Sequence, residues 1–224
     1  MISTDIAAPA SPGRSTLISS TLVGPRPALD HVPGNQAMGI DGPAQGNPSG
    51  IGLLTLLRED LRTHGGTIFE QGFWAVAVHR FGNWQAGFGW KLVRAPLTIL
   101  YRIAYLFVEC AAGVSLPYTV RLGRRVRIWH HGGIILLARS IGDDVQIRQN
   151  TTMGIASVDH HLEIPTIGDR VDIGCGACIL GGVTVGNDCK IGANAVVLAD
   201  VPAGSTAVGV PARVVRRRGP EGGA

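Results

Sequence analysis

Four of the chain's seven histidines stand in two adjacent pairs, His130-His131 and His160-His161. An imidazole titrates near neutral pH, so a positioned histidine can take the proton from an attacking hydroxyl. Three histidines brought together would instead hold a zinc ion and its activated water. Adjacent side chains in extended chain point to opposite faces, so one member of each pair can face a cleft while the other faces elsewhere. A single exposed histidine is most often a solvated ring, but two pairs close to one irregular loop point to a site. The cysteines are Cys110, Cys175, Cys178 and Cys189. Cys175-x-x-Cys178 invites a metal or redox reading, yet no second pair accompanies it. Both fall at ordinary repeat positions and read as structural thiols, and a reducing cytoplasm is the expected compartment. The formal charge is +4, with clusters only at Arg124-Arg125-Arg127 and Arg216-Arg217-Arg218. That balance suits an anionic small ligand better than nucleic acid, and no nucleic-acid partner is expected.

What must position these residues is a beat of six. Aliphatic side chains recur at Leu122, Ile128 and Ile134, at Ile141, Ile147 and Met153, and at Ile167, Ile173, Ile179, Val185, Ile191 and Val197. A small or β-branched residue often sits two positions earlier, as at Val145, Thr151, Val171, Ala177 and Ala195, and glycine often follows. Neither an amphipathic helix nor an alternating strand has this period. It fits a short strand plus a turn, stacked coil on coil as a parallel β-helix. Two breaks of phase interrupt it. One extra residue falls between Ile134 and Ile141, assigned to a bulged corner, and the long step from Met153 to Ile167 makes residues 155–164 an excursion from the coil. Loops on a rigid scaffold are where binding chemistry is usually placed.

The organisation expected from these patterns has four parts. Residues 1–50 are crowded with Pro, Gly, Ser and Ala, lack a secretory leader and read as a disordered arm. Residues 51–113 form an α-helical segment, residues 114–200 the β-helix with its loop at 155–164, and residues 201–224 an extended segment and tail. In the first helix Leu53, Leu54, Leu56, Leu57 and Leu61 gather on one side, with Arg58, Glu59, Asp60 and Arg62 largely opposite. A second helix covers roughly residues 69–84. The third, about 90–112, is strongly apolar but crossed by Lys91, Arg94, Arg102 and Glu109. A spanning helix wants about 20 mostly apolar residues, and the run 103–108 is too short. The helix is expected to pack on its neighbours or on another subunit, with a weak membrane-surface contact as the alternative.

The closing run Ile191-Gly192-Ala193-Asn194-Ala195-Val196-Val197-Leu198, followed by Val201-Pro202-Ala203-Gly204 and Gly209-Val210-Pro211-Ala212-Arg213, resembles the serine acetyltransferases. The helical stretch Gln71-Gly72-Phe73-Trp74-Ala75-Val76-Ala77-Val78-His79-Arg80-Phe81-Gly82-Asn83-Trp84 is similar to the family's segment before the solenoid. The resemblance covers about residues 50–215. It implies a left-handed β-helix, a homotrimer with the active site between subunits, and acetyl-CoA as co-substrate with no metal. Residue by residue, the resemblance puts the catalytic histidine at His130, as general base toward an acceptor hydroxyl. It puts the cofactor arm beside Gly174, Cys175, Gly192, Ala193, Gly209 and Arg213.

Several positions depart from the family pattern. Its acidic partner for the histidine falls on Ser115, and the aspartate directly before the histidine is Trp129. Its Asp-Arg-His-Pro in the loop becomes Leu162-Glu163-Ile164-Pro165, so Glu163 replaces the arginine that would clamp a serine carboxylate. His131, His160, His161 and Glu163 are therefore the remaining candidates on the acceptor side, with Arg148 or Arg139 able to supply the missing cation. The reading that follows is an acetyl-CoA-dependent O-acetyltransferase acting on L-serine or on a sugar hydroxyl. The altered loop leads to the expectation that free L-serine is the poorer acceptor. A zinc enzyme of the carbonic-anhydrase kind, using His130 or His131 with His160 or His161, is a second class of function on the same fold.

Overall fold

The computed structural model describes residues 46–157, 159 and 162–217, so most of the arm expected over residues 1–50 lies outside the described residues. Three helices come first, α1 (Leu53–Thr63), α2 (Gln71–Ala86) and α3 (Lys91–Ala112). Five coils of short strands follow. The first holds β1 (Val114–Ser115), β2 (Arg121–Leu122) and β3 (Arg127–Ile128); the second holds β4 (Ile134–Leu136), β5 (Ser140–Ile141) and β6 (Gln146–Ile147). The third holds β7 (Thr152–Gly154), β8 (Thr166–Ile167) and β9 (Asp172–Ile173); the fourth holds β10 (Cys178–Leu180), β11 (Thr184–Val185) and β12 (Lys190–Ile191). The fifth has β13 (Val196–Val197), a single bridge at Val201, and β14 (Ser205–Val208). Last, β15 (Arg213–Arg217) turns back antiparallel on β14.

Equivalent strands stack in parallel into three sheets, giving a three-sided, left-handed parallel β-helix. Sheet A is β1-β4-β7-β10-β13, sheet B is β2-β5-β8-β11, and sheet C runs from β3 through β6, β9 and β12 to β14. The beat of six becomes ladders of aliphatic neighbours inside the prism. Ile128, Ile147, Ile173 and Ile191 line sheet C, and Leu122, Ile141, Ile167 and Val185 line sheet B, all buried. Each such side chain contributes about 1.5–3 kcal/mol on burial. The expected end of the β-helix at residue 200 falls inside the fifth coil, because β14 pairs in parallel with β12 and carries the solenoid to Val208.

One phase assignment changes. In sheet A the residue stacked on Met153 is Leu136, not Ile134, since Ile135 pairs with Thr152 and Leu136 with Met153. Ile134 sits at the small-residue position and is buried there. The extra chain therefore lies before β4, in residues 129–133, and not between Ile134 and Ile141. The alternation of buried Ile134 and Leu136 around exposed Ile135 hides this shift from a six-residue count.

The helices close the open end of the prism. The first coil has backbone groups with no strand partner facing away from the second, and polar side chains of α2, with His64 at the end of α1, reach them. His79 Nε2 lies 2.8 Å from the Val120 carbonyl. Arg80 donates to the Leu122 carbonyl at 3.0 Å and to the Gly123 carbonyl at 2.5 Å. Asn83 donates to the Tyr118 carbonyl, and the Ile128 N–H donates to His64 Nε2. Asp60, expected on the solvated side of α1, is instead buried and paired with Arg80 at 3.0 Å. The guanidinium needs that carboxylate, since a buried charge without a partner is strongly unfavourable. Arg124 and Arg125 reach Glu59 and so fasten α1 to the first corner. Order extends upstream of Ile51, because the Gly46 N–H donates to Asn83 and Asn47 donates to the Arg80 carbonyl.

Replacing Arg80 by Met should cost about 3–5 kcal/mol, because Asp60 is left buried without its cation and two carbonyls lose their donors; urea unfolding at neutral pH measures it. The cap also titrates. Burial pushes the His79 imidazole down to about 3, and burial likewise lowers His64. A histidine depressed in the folded state contributes stability that is complete above its unfolded value and is lost as pH falls below it. Between pH 7.5 and 5.5 His79 alone should cost about 1.4 kcal/mol, with His64 acting in the same direction. Unfolding midpoints across that range should fall, and a His79→Asn variant should flatten the slope.

Candidate active site

At the edge where sheet C turns into sheet A, successive coils place residues 129–133, 148–150, 174–176 and 192–194 above one another, with Gly209 following β14. The regular turns each put one residue in the left-handed region, at Asn150, Gly176 and Asn194. Gly133 is the first-coil equivalent, and a Cβ there would run into the Asn150 side-chain oxygen. The first-coil turn is two residues longer than the others: eight residues separate Ile128 from Leu136, against six from Ile147 to Met153. The added length carries His130 and His131, both exposed. His130 itself has φ of 63°, a left-handed conformation that costs a non-glycine residue about 1–2 kcal/mol. Strain of this kind concentrates at functional sites.

The two positions where the family pattern has carboxylates are occupied by other bonding. Ser115 Oγ lies 2.7 Å from the hydroxyl of Tyr105 on α3. Burial raises that tyrosine hydroxyl above its ordinary range, which keeps it protonated. Trp129 donates through Nε1 to Gln146 at 2.7 Å and stacks under the Arg127 guanidinium, whose carbon is 3.5 Å from the ring centre. Neither residue bonds to His130.

Below His130 on the same edge stand Gly174 and Cys175 in the third coil, Gly192 and Ala193 in the fourth and Gly209 in the fifth. The stacking is tight: a Cβ on Gly174 would meet Ala193 N, and one on Gly192 would meet Val208. Small residues thus keep this edge low along three coils. Cys175 is half-buried, and its carbonyl accepts from the Asn194 N–H at 2.8 Å. Arg213 is exposed on β15, with its guanidinium donating to the Ala212 carbonyl. Strands in register lie about 4.8 Å apart, so the line from His130 to Gly209 spans roughly 19 Å.

The excursion leaves the opposite edge of sheet A, between β7 and β8. Glu163 packs against Gly182 of the fourth coil, and Leu162 is exposed. His160 and His161 lie outside the described residues. A single chain therefore places His130 and Glu163 on two different edges, with sheet A between them. Among the described residues no three or more His, Cys, Asp or Glu side chains gather where they could hold a metal ion. Arg148, a candidate acceptor cation, is committed to Asp172 and the Ile173 carbonyl on sheet C. Arg139, the other candidate, is exposed, and its backbone N–H donates to the Pro165 carbonyl at the end of the excursion.

The outer faces of the three sheets differ. Sheet C presents Arg127, Gln146, Asp172, Lys190 and Thr206 in register. Sheet B presents Arg121, Ser140, Thr166 and Thr184. Sheet A presents Ser115, Ile135, Thr152, Cys178 and Val196, without a charge, and Ile135 remains half exposed. Sequence reasoning did not reach Tyr105 or the engagement of Trp129. The signal for the first was present, since Tyr101, Tyr105, Val108 and Ala112 recur at steps of four, three and four and form the buried side of α3.

Residues 164–199 match the family described as Bacterial transferase hexapeptide (six repeats). The serine acetyltransferase of Mycobacterium tuberculosis is 37% identical over 153 residues, covering 68% of this chain and 64% of that protein. That of Bacillus pumilus is 36% identical over 183 residues, covering 75% of this chain and 79% of that protein. The crystal structure of serine acetyltransferase from Vibrio cholerae superposes with a TM-score of 0.63 at 28% identity, covering 75% of this chain and 67% of that one. The Brucella abortus enzyme in complex with coenzyme A gives 0.62 at 26% identity, covering 73% and 68%. Against the relatives from Mycobacterium tuberculosis, Helicobacter pylori and Synechococcus elongatus, the chain spans 58–64% of their length. By sequence and by fold, the chain belongs to the serine acetyltransferase family of hexapeptide-repeat transferases.

Proposed function

We propose that this protein transfers the acetyl group of acetyl-CoA to the hydroxyl of L-serine. The observation that carries the reading is the C–A edge, where one strained histidine heads a line of small-residue turns long enough for an extended pantetheine arm. His130 takes the proton from the acceptor hydroxyl as that oxygen attacks the thioester carbon. Backbone N–H groups at the adjoining turn steady the oxyanion. When the tetrahedral adduct collapses, the C–S bond breaks and the imidazolium returns its proton to the departing thiolate. Gly174, Cys175, Gly192, Ala193 and Gly209 let the cofactor arm lie close to the backbone, and Arg213 offers a cation beyond it. Cys175 acts as a wall residue here and forms no acyl intermediate, because no base stands beside it in the described structure.

The assembly that supports this chemistry is a homotrimer. The uncharged sheet A face has the His130 edge on one side and the excursion edge on the other. Chains packed around a threefold axis bring His130 of one copy toward the excursion of the next. The acceptor carboxylate then requires a cation, and Glu163 stands where the family pattern has arginine. Arg139 beside Pro165 supplies that charge in our reading, in place of the sugar-directed pocket that the altered loop suggests. A neutral polyol remains the second reading, favoured by Glu163 alone. Four free thiols support action in a reducing cytoplasm.

His130→Ala should lower kcat by about 10²–10⁴ with folding and assembly intact, measured as CoA thiol release. Activity within a few-fold of the parent would remove His130 from the chemistry. Arg139→Ala should raise KM for L-serine about tenfold or more with little change in kcat, since a cation that only binds the carboxylate contributes equally to ground and transition states. Serine methyl ester should be a poor acceptor for the parent and nearly indifferent to Arg139→Ala. Saturable turnover of sugars with none of L-serine would establish the second reading.

A further inference from the structure

Helix α3 is bound to the molecule along only one side. Its inner residues Tyr101, Tyr105, Val108 and Ala112 are buried against α2 and the first coil. Tyr101 meets the Tyr118 ring edge-on at 5.1 Å, and the Ala112 carbonyl accepts from the Gly132 N–H. The outer side repeats the same rhythm with Leu92, Ile99, Ile103, Leu106 and Phe107. Leu92 is 91% exposed, Ile103 62% and Phe107 70%, and Trp90 just before the helix is 80% exposed. The stripe runs over about four turns of helix, some 22 Å, and is more than an ordinary soluble monomer leaves bare.

By length and composition α3 is apolar enough to cross a membrane, a conclusion that the run 103–108 alone did not suggest. Its inner side contradicts a crossing, because the β-helix is attached along the same helix. The buried and exposed stripes lie on opposite sides of the axis, which is the geometry of a helix lying flat with its domain above it.

We propose that α3 docks this protein on an anionic lipid surface, its outer stripe sunk to the level of the headgroup–acyl boundary. Charge selects the occupant. Lys91, Arg94 and Arg102 are exposed along α3, against one acid, Glu109. Acidic headgroups accept the exposed cations Lys91 and Arg94, which stand beside Trp90 at one end of the stripe. With Leu100, 53% exposed, the stripe spreads over about 120° of the helix circumference, wider than a coiled-coil seam and suited to an interfacial helix. Trp90 stands at its end, where an indole ring prefers the membrane interface. The inference is independent of the acetyl-transfer reading.

The test is co-sedimentation of the full-length protein with vesicles of phosphatidylcholine alone or with about one-third phosphatidylglycerol, at low and high salt. The protein should pellet with the anionic vesicles at low salt, at least tenfold less with neutral ones, and less again at high salt. Ile103→Glu with Phe107→Glu should abolish pelleting while helix content, solution mass and CoA release stay unchanged. Lys91→Gln with Arg94→Gln should weaken binding about fivefold per residue. Failure to pellet with either vesicle overturns the proposal, as does equal binding to both. A fall in solution mass on Ile103→Glu/Phe107→Glu, measured by light scattering, with vesicle binding retained would assign the stripe to a second copy and also overturn it.

Discussion

A stack of parallel coils satisfies its backbone from within except at its two ends, and this structure is built around how the first end is closed. The carbonyls of Tyr118, Val120, Leu122 and Gly123 and the N–H of Ile128 face away from the rest of the prism. Water could bond them only if the apolar interior beneath were also exposed. Instead α2 lies across them: His79, Arg80 and Asn83 meet the four carbonyls, Arg80 taking two, and His64 at the end of α1 accepts the N–H, while Asp60 holds the charge of Arg80. Gly72 permits the contact, because a Cβ there would collide with the Ile128 carbonyl. Once α2 is fixed, Gly82 lets the Tyr101 ring and the Tyr118 Cβ close against it, and α3 is placed in turn. The first coil, and with it the turn that carries His130, inherits its position from this closure.

The far end is handled by different means. There β15 folds back on β14 and pairs with it, so sheet C ends in an antiparallel ribbon. Between the two ends the coils are held in register by a ladder at the B–C edge. The side-chain oxygens of Asp143, Asp169 and Asn187 each accept a backbone N–H from the coil before. Arg125 with Asp144 and Arg170 with Asp188 add ion pairs at the same edge. The prism is therefore held in register where it repeats, and its departures from repetition stand out against that frame.

The solenoid was readable because its period matches no other element and because nearly every beat lands on a fully buried side chain. Legibility failed where two buried aliphatics, Ile134 and Leu136, straddle an exposed one. A count of six cannot tell which of them continues the ladder, so the extra residues were placed on the wrong side of β4. Asp60 departs from its expected place for a related reason: helical periodicity sorts charges outward, and nothing local announces that Arg80, two helices' worth of chain away, needs its carboxylate. The motif singles out His130, yet its left-handed backbone is visible only in three dimensions. The same holds for the bonds of Ser115 to Tyr105 and of Trp129 to Gln146, which join residues from different elements.

The line of turns along the C–A edge has one more implication. Position along it is quantised in whole coils, because a strand can pair only in register with the strands above and below. The separation between His130 and any turn beneath it can therefore change only in steps of about 4.8 Å. The edge works as a ruler with five marks, graduated by backbone hydrogen bonds. A molecule lying along it is measured against those divisions. Drift in side-chain identity can alter the grip at each mark, but the scale itself changes only by gain or loss of an entire coil.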